Sequence, residues 1–357
     1  MYISSSKIMM KFTKKLLLFV LIIAIITLAV NFVYVKRHKS DTDKFDFIPA
    51  TVQICNFGSS HGAYGFNYED IENQYDCFNF GLPGQNLSYD YRIFQYYGDH
   101  IVDGTVVFIP VSYFSLFGTK EIVRDEFVSK NRKYYPILPA SLIKEYDYKT
   151  DIYVRYFPSL VTATDDLILT LLGILENANN VDWTSDATAI NISENAEHNF
   201  ENHVGNNKRF YDDDGNRIEN QEEIDALYAL IEGCQEKGAI PILITTPFLH
   251  ELTDEIKKNA EDFYDHFYSI IDRIVRDTGI EYYDYAFDER FVNEYSWFIL
   301  LPNENLKFGS LEFVPYRVAA LARATARAAV GALSGANSNR TLVSAFHQGV
   351  VLWMSTT

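Results

Sequence analysis

One apolar stretch stands apart from every other in the chain. "LLLFVLIIAIITLAVNFVYV" runs from Leu16 to Val35 with only Thr27 and Asn31 as polar interruptions and no charge. At 1.5 Å per helical residue such a run spans roughly 30 Å, the thickness of a bilayer's hydrocarbon core. Lys7, Lys11, Lys14 and Lys15 precede it, and Lys36, Arg37 and Lys39 follow it. A cleaved signal peptide would have a shorter core and a small-x-small exit, and "TLAVNF" offers no such exit. The pattern predicts an uncleaved anchor at 16–35, with a basic tail at 1–15 and a polar tether at 36–50. Basic residues on the two sides nearly balance. The short N-terminal tail and the large acidic remainder predict the N-terminus inside and the body outside the cell membrane.

Beyond the tether the pattern changes to short apolar runs separated by helix-period segments. "TVQICNFG", "YDCFNFG", "GTVVFIPVS", "AIPILITTP" and "IEYYDY" read as five strands. "LSYDYRIFQYYGDHIV" places Tyr91, Phe94, Tyr97 and Ile101 at helical spacing. "NQEEIDALYALIEGCQEKG" opens with acids and stops at Lys237-Gly238, the charge order a helix dipole favours. "DEIKKNAEDFYDHFYSIIDRIVRDTG" is a second such helix with a glycine stop. Continuous apolar strands alternating with helices predict an α/β three-layer sandwich with a central parallel sheet. The domain is expected over 51–298. Residues 113–220 break its rhythm and read as an insertion of helices, including "DDLILTLLGILENA", plus irregular loop. No internal repeat is visible.

Composition narrows the function. The formal net charge of −17 disfavours nucleic acid, whose phosphates would be repelled. A 48% hydrophobic content is that of a folded chain. Three cysteines, Cys55, Cys77 and Cys234, form no paired framework, and Cys55 and Cys77 read as small core residues. No CxxC or His/Cys cluster points to a metal. After Tyr316 the composition breaks: the remaining residues include no Lys, Asp, Glu, Tyr or Ile. Residues 299–357 are therefore read as an atypical tail, either a native Ala-rich helix or a foreign, frame-shifted end, with the second preferred.

The candidate chemistry lies in "NFGSSHG", Asn56 to Gly62. Ser60 would sit at the turn from the first strand into a helix, where backbone N–H groups suit a nucleophile whose oxyanion needs donors. A phosphate loop would need GxxxxGK[ST], and its lysine is missing. The α/β-hydrolase GxSxG elbow is matched with Ser60 central, but that elbow normally follows several strands. Of the histidines, His61 reads as a locally bonded or packed ring, and His250 follows the fourth strand. His198 and His203 fall in the polar insertion, and His266 on a helix. Asp284 and Asp288 follow the fifth strand and could orient a base.

These blocks resemble the SGNH (GDSL-like) hydrolase family. "FGSSHG" is similar to its first block, with Ser60 as nucleophile, and "NFGLPGQN" to its second, with Asn79, Gly81 and Gly84. The resemblance implies an oxyanion hole formed by Ser60 N–H and Gly84 N–H. The family's third-block Asn is replaced: strand three ends "IPVSYFS", leaving Ser112 as the nearest polar group. The family's Asp-x-x-His is not found in "ILLPNENLKFGSLEF", where Asn305 falls near the expected His. The chain resembles the membrane-anchored branch, with the D-alanine transfer protein of teichoic acid synthesis and the acetylation proteins of surface polysaccharides. That implies a serine esterase or O-acyltransferase acting on acyl esters of a cell-surface glycan. Ser60 would receive acyl groups from an integral membrane acyltransferase, with no metal or soluble cofactor. The alternative is a catalytically degenerate domain that binds glycan or such a partner.

Overall fold

The computed structural model describes residues 2–38, 40–66, 68, 72, 74–118, 130–172, 196–198, 200–201, 204–205, 211–246, 248 and 250–287. In chain order its main elements are α1 (Tyr2–Arg37), β1 (Val52–Asn56), α2 (Ser60–Gly65), β2 (Cys77–Asn79), α3 (Leu87–Tyr97) and β3 (Ile101–Pro110). There follow α4 (Tyr148–Tyr156), α5 (Thr164–Leu172), α6 (Gln221–Glu236), β4 (Ile240–Thr245), α7 (His250–Asn259), α8 (Phe263–Thr278) and β5 (Glu281–Asp284). The described residues divide into two compact units, one drawn from 1–43 and 122–181, the other from 44–121 and 182–357.

In the first unit α1 dominates. Its stretch Met9–Arg37 contains an 18-residue window of mean hydropathy 3.0 and is long and apolar enough to cross a membrane. Leu16 to Ile23 are all exposed. Polar groups near its C-terminal end are bonded within the unit. Asn31 Nδ2 donates to the Tyr156 carbonyl (2.8 Å), and Asn31 Oδ1 accepts from Ser159 Oγ (2.9 Å). Thr162 Oγ1 donates to Tyr34 Oη (2.9 Å), and an Arg37 guanidinium N–H donates to the Leu171 carbonyl. Asp147 caps α4 by accepting from Thr150 N–H (2.8 Å).

The second unit is built on a five-stranded, wholly parallel sheet in the order β2-β1-β3-β4-β5. Cys55 lies opposite both Phe78 and Val107, Phe108 opposite Ile242, and Leu243 opposite Tyr282. The three central strands are apolar on both faces because both faces are buried: Ile54, Val107, Phe108, Ile109, Leu243 and Ile244 are all inaccessible. From β1 the chain goes to β2 on one side, and then to β3 on the other. The strand ends diverge at that reversal, and parallel sheets bind ligands there, beyond the carboxyl ends of the strands. Helix α3 packs on α6, and Gly233 permits the approach: a Cβ there would lie 2.4 Å from the Phe94 ring. Glu223 ties the same pair by accepting from Asn86 Nδ2 and Ser88 N–H, each at 2.8 Å. Helix α8 buries Phe263, Phe267, Ile270, Ile271 and Ile274 at helical spacing and ends at Gly279, whose φ of 68° is the left-handed cap glycine favours.

The structure bears on the tether and the insertion as follows. The tether at 36–50 is not simply polar chain: Asp43–Phe47 is a short 3₁₀ turn, and Phe45 is buried against Tyr97, Phe78 and Phe80. Burying one such ring is worth about 2–3 kcal/mol, enough to fix a segment of polar average composition. The body accordingly begins at Lys44 rather than at residue 51. The insertion at 113–220 is not one piece. Its 122–181 part groups with α1, while Phe117 pairs with Glu219 beside the sheet. The 299–357 tail lies outside the described residues.

Glu219 sets an acid limit on this unit. Burial alone would raise its carboxyl, but hydrogen bonds from Arg273 (2.7 Å) and His266 (3.1 Å) outweigh burial and hold its pKa below the ordinary 4.5. The depressed carboxyl adds stability above its unfolded value and loses it as pH falls through the folded one. Melting temperature should therefore drop as pH falls below 4.5. Glu219→Gln should flatten that part of the profile. Separately, Gly233→Ala should cost about 1–3 kcal/mol in urea denaturation through the forced shift of Phe94, and Phe94→Leu should recover part of it.

Candidate active site

The turn carrying Ser60 is held from several sides. Gly58 has φ 108°, which L side chains rarely adopt, and a Cβ there would press on the Pro110 ring at 3.1 Å. Its N–H donates to the buried Asp90 Oδ1 (2.9 Å), which also accepts from Gln85 Nε2. Beyond the turn, α2 is only six residues long, so its own hydrogen bonds cannot secure it. A pair of amides does so. Asn56 Nδ2, at the end of β1, donates to the Phe57 and Gly62 carbonyls (2.9 Å each) and to Asn79 Oδ1 (3.0 Å). Asn79 Nδ2, at the end of β2, donates to the Gly62, Ala63 and Phe66 carbonyls. Tyr68 Oη donates to Asn56 Oδ1 (2.9 Å). Gly81 then lies so close to α2 that a Cβ would fall 2.7 Å from Ala63 N.

Ser60 is half-buried at the first position of α2, beyond the carboxyl end of β1. Next to it, His61 reaches across the strand ends. His61 Nδ1 lies 2.7 Å from Thr246 Oγ1, past the end of β4, and 3.5 Å from Ser112 Oγ, past the end of β3. Both hydroxyls belong to buried residues. The imidazole packs on Phe248 (centroids 5.0 Å apart), which stacks on Tyr113 at 4.1 Å. Burial, then the neighbouring Tyr264, pushes the Tyr113 phenol well up, so it remains a neutral hydroxyl. Three strand ends thus converge on one imidazole.

The other sequence candidates are placed as follows. Gly84 is exposed in a β-turn, with Gln85 N–H donating to the Leu82 carbonyl (3.0 Å). Pro83 at the second position and Gly84 at the third, with φ 63°, are the type II pattern. Gly81 N–H is taken by Asn79 Oδ1 (2.9 Å), whereas Ser60 and Gly84 N–H groups make no hydrogen bond among the described residues. His250 opens α7 and pairs with Asp254 (3.1 Å) on an exposed face. Asp284 accepts from Tyr268 Oη (2.5 Å) and Ala286 N–H (2.9 Å). Asp288, His203 and Asn305 lie outside the described residues. Sequence reasoning missed Asn56, Asp90, Thr246 and Phe248. The signal for Asn56 is one polar residue closing an apolar strand. That for Asp90 is a lone acid on the apolar stripe of α3. Among the described residues no group of His, Cys, Asp and Glu is arranged to hold a metal ion.

No protein-family model matches the chain, and no curated protein matches it. The functional reading therefore stands on the geometry and on the resemblance of its motifs. Asp90 offers a direct check on how the turn is held. Asp90→Ala should leave the Gly58 N–H buried without an acceptor and cost about 1–3 kcal/mol in denaturant. Asp90→Asn, which keeps an acceptor oxygen, should cost clearly less.

Proposed function

We propose that the chain is a membrane-anchored SGNH-like serine esterase or O-acyltransferase, acting on acyl esters of a cell-surface polysaccharide. In this reading α1 crosses the membrane, the N-terminus lies inside, and the sheet with its helices forms a three-layer domain outside. The observation that carries it is the position of Ser60. The residue opens a helix at the carboxyl end of β1, beside the reversal in strand order, with its own N–H unbonded among the described residues. The strand order and the glycine turn after β2 support the same reading.

The chemistry follows from those parts. Ser60 Oγ attacks the acyl carbonyl, and its proton passes to a base. The carbonyl oxygen becomes an oxyanion that Ser60 N–H, Gly84 N–H and the Ser112 hydroxyl would receive. The bond to the leaving alcohol then breaks, and that alcohol takes the proton. The acyl group on Ser60 passes next to water, giving hydrolysis, or to a glycan hydroxyl, giving transfer. His61 is the imidazole nearest Ser60 in the chain. No metal or soluble cofactor enters these steps.

A second reading has its own observation. Among the described residues His250 is engaged with Asp254 and Asp284 with Tyr268 and Ala286, while His61 Nδ1 is turned toward Thr246, so that of these groups only the His61 Nε2 could accept a proton. That favours a degenerate domain that binds a glycan or an integral membrane acyltransferase without turnover. A fluorophosphonate probe on the full chain in detergent separates the two. The enzyme reading expects label at Ser60, none in Ser60→Ala, and hydrolysis of acetyl esters. If His61 is the base, His61→Gln should slow labelling by about 10²–10⁴-fold. An intact, folded chain with neither label nor hydrolysis sinks the enzyme reading and leaves the binding one.

A further inference from the structure

Residues 130–172 raise a question the candidate site does not answer. They carry helices whose large apolar side chains face outward: Tyr156 and Leu172 are each 65% exposed and Leu160 is 54% exposed, with Ile152, Tyr153 and Ile168 also open. Their partner in the same unit is the C-terminal end of α1. Asn31 fixes the level of contact. Its amide donates to the Tyr156 carbonyl and accepts from Ser159 Oγ, so Tyr156 and Leu160 lie beside it. Val35, the last residue of the apolar run, lies four positions beyond Asn31, or about 6 Å along a helix. The Arg37 bond to the Leu171 carbonyl places the end of α5 at the charged end of the same helix.

We propose that α4, the 158–160 turn and α5 rest on the lipid surface around the C-terminal end of α1, as a collar at the bilayer interface. The proposal builds on the reading of α1 as a membrane span. Interfacial helices bury their apolar side chains about 5–10 Å below the headgroups, the depth at which the Asn31 bonds set Tyr156 and Leu160. Tyrosines such as Tyr153 and Tyr156 suit that boundary, where one end of the ring is apolar and the other wet. Neighbouring α1 residues Phe32 and Val35 are exposed as well, so the apolar surface of the collar continues that of the span. Asn31 gives a second and separate argument. An amide within a lipid-exposed apolar run is costly unless its hydrogen bonds are met, and the collar meets them on both its oxygen and its nitrogen. Lipid therefore accounts both for the outward apolar side chains and for the polar residue within the span.

Nitroxide labels in the full chain, reconstituted in nanodiscs of phosphatidylcholine and phosphatidylglycerol, provide the test. Labels go on Tyr156→Cys, Leu160→Cys and Leu172→Cys, with Ile22→Cys as a span control and Glu236→Cys as a water control. Native thiols should stay silent near neutral pH: Cys55 is buried, and burial pushes Cys77 and Cys234 up to about 12. The collar labels should collide more with oxygen than with a nickel chelate, as at Ile22 and opposite to Glu236. Preferential collision with the chelate at the collar, while Ile22 reads lipid, overturns the collar and leaves the anchor standing. Protection from both reagents means that protein, such as a second copy, covers the surface, and it too overturns the proposal. If Ile22 itself reads water, the anchor reading fails and the collar with it.

Discussion

The Asn56–Asn79 amide pair is the interaction on which the site depends. A six-residue helix has too few internal bonds to persist by itself, yet Ser60 and His61 both sit on one. The two amides meet at 3.0 Å where β1 and β2 end, and together they donate to the carbonyls of Gly62, Ala63 and Phe66. These acceptors would otherwise be orphaned at the end of a short helix. Because the strands supporting the amides are locked in register, Cys55 against Phe78 and Asn56 against Asn79, the position of α2 is inherited from the sheet. Gly58 and Asp90 perform the same service on the entry side of the turn.

This arrangement explains what could be read from the sequence. The three central strands were legible because strands buried on both faces must be apolar throughout, whereas β2 and β5 at the sheet edges are short and partly exposed. Ser60 was legible because a Gly-Ser-Ser turn after such a strand has few other uses. The supporting network was not. Asn56 differs from its strand by one residue, and nothing local says that its amide faces another amide from β2. Asp90 sits on a helix whose period is set by Ile93, Phe94 and Tyr97, and a buried acid is detectable only once its acceptor role toward Gly58 is known. His61 was read as a locally bonded or packed ring, and its hydrogen-bond partners Thr246 and Ser112 are instead far away in the chain. Adjacency in sequence to Ser60 did not predict that its Nδ1 would turn toward strands three and four.

The tether shows the same limit of local reading. Its polar average suits chain that touches nothing. Phe45 is one ring in a polar segment, and one ring is enough when a pocket of Phe78, Phe80 and Tyr97 is waiting. The turn at Pro158–Leu160 and helix α5 have their partner in α1, more than a hundred residues earlier. Hydropathy identified α1 well but carried no hint that Asn31 would be bonded. The polar interruption in the run was the visible trace of that contact.

The energetic cost of the site bears on what it is for. A simple strand-to-helix turn can be closed by one glycine and a capping side chain. Here the turn is closed by a strained glycine against a proline, a buried carboxylate, two buried or half-buried amides and a tyrosine hydroxyl. Each buried polar group is costly to desolvate, and the cost is recovered only when all of its partners are in place. Such a network contributes little net stability over an apolar plug of the same volume, but it fixes position. What it fixes is the place of Ser60 and the direction of its free N–H. A protein that needed only a turn would gain nothing from that placement, whereas a site that must present a hydroxyl and a donor to one small group needs it. Between the two readings proposed for Ser60, the proton acceptor, rather than the nucleophile, is the part that decides.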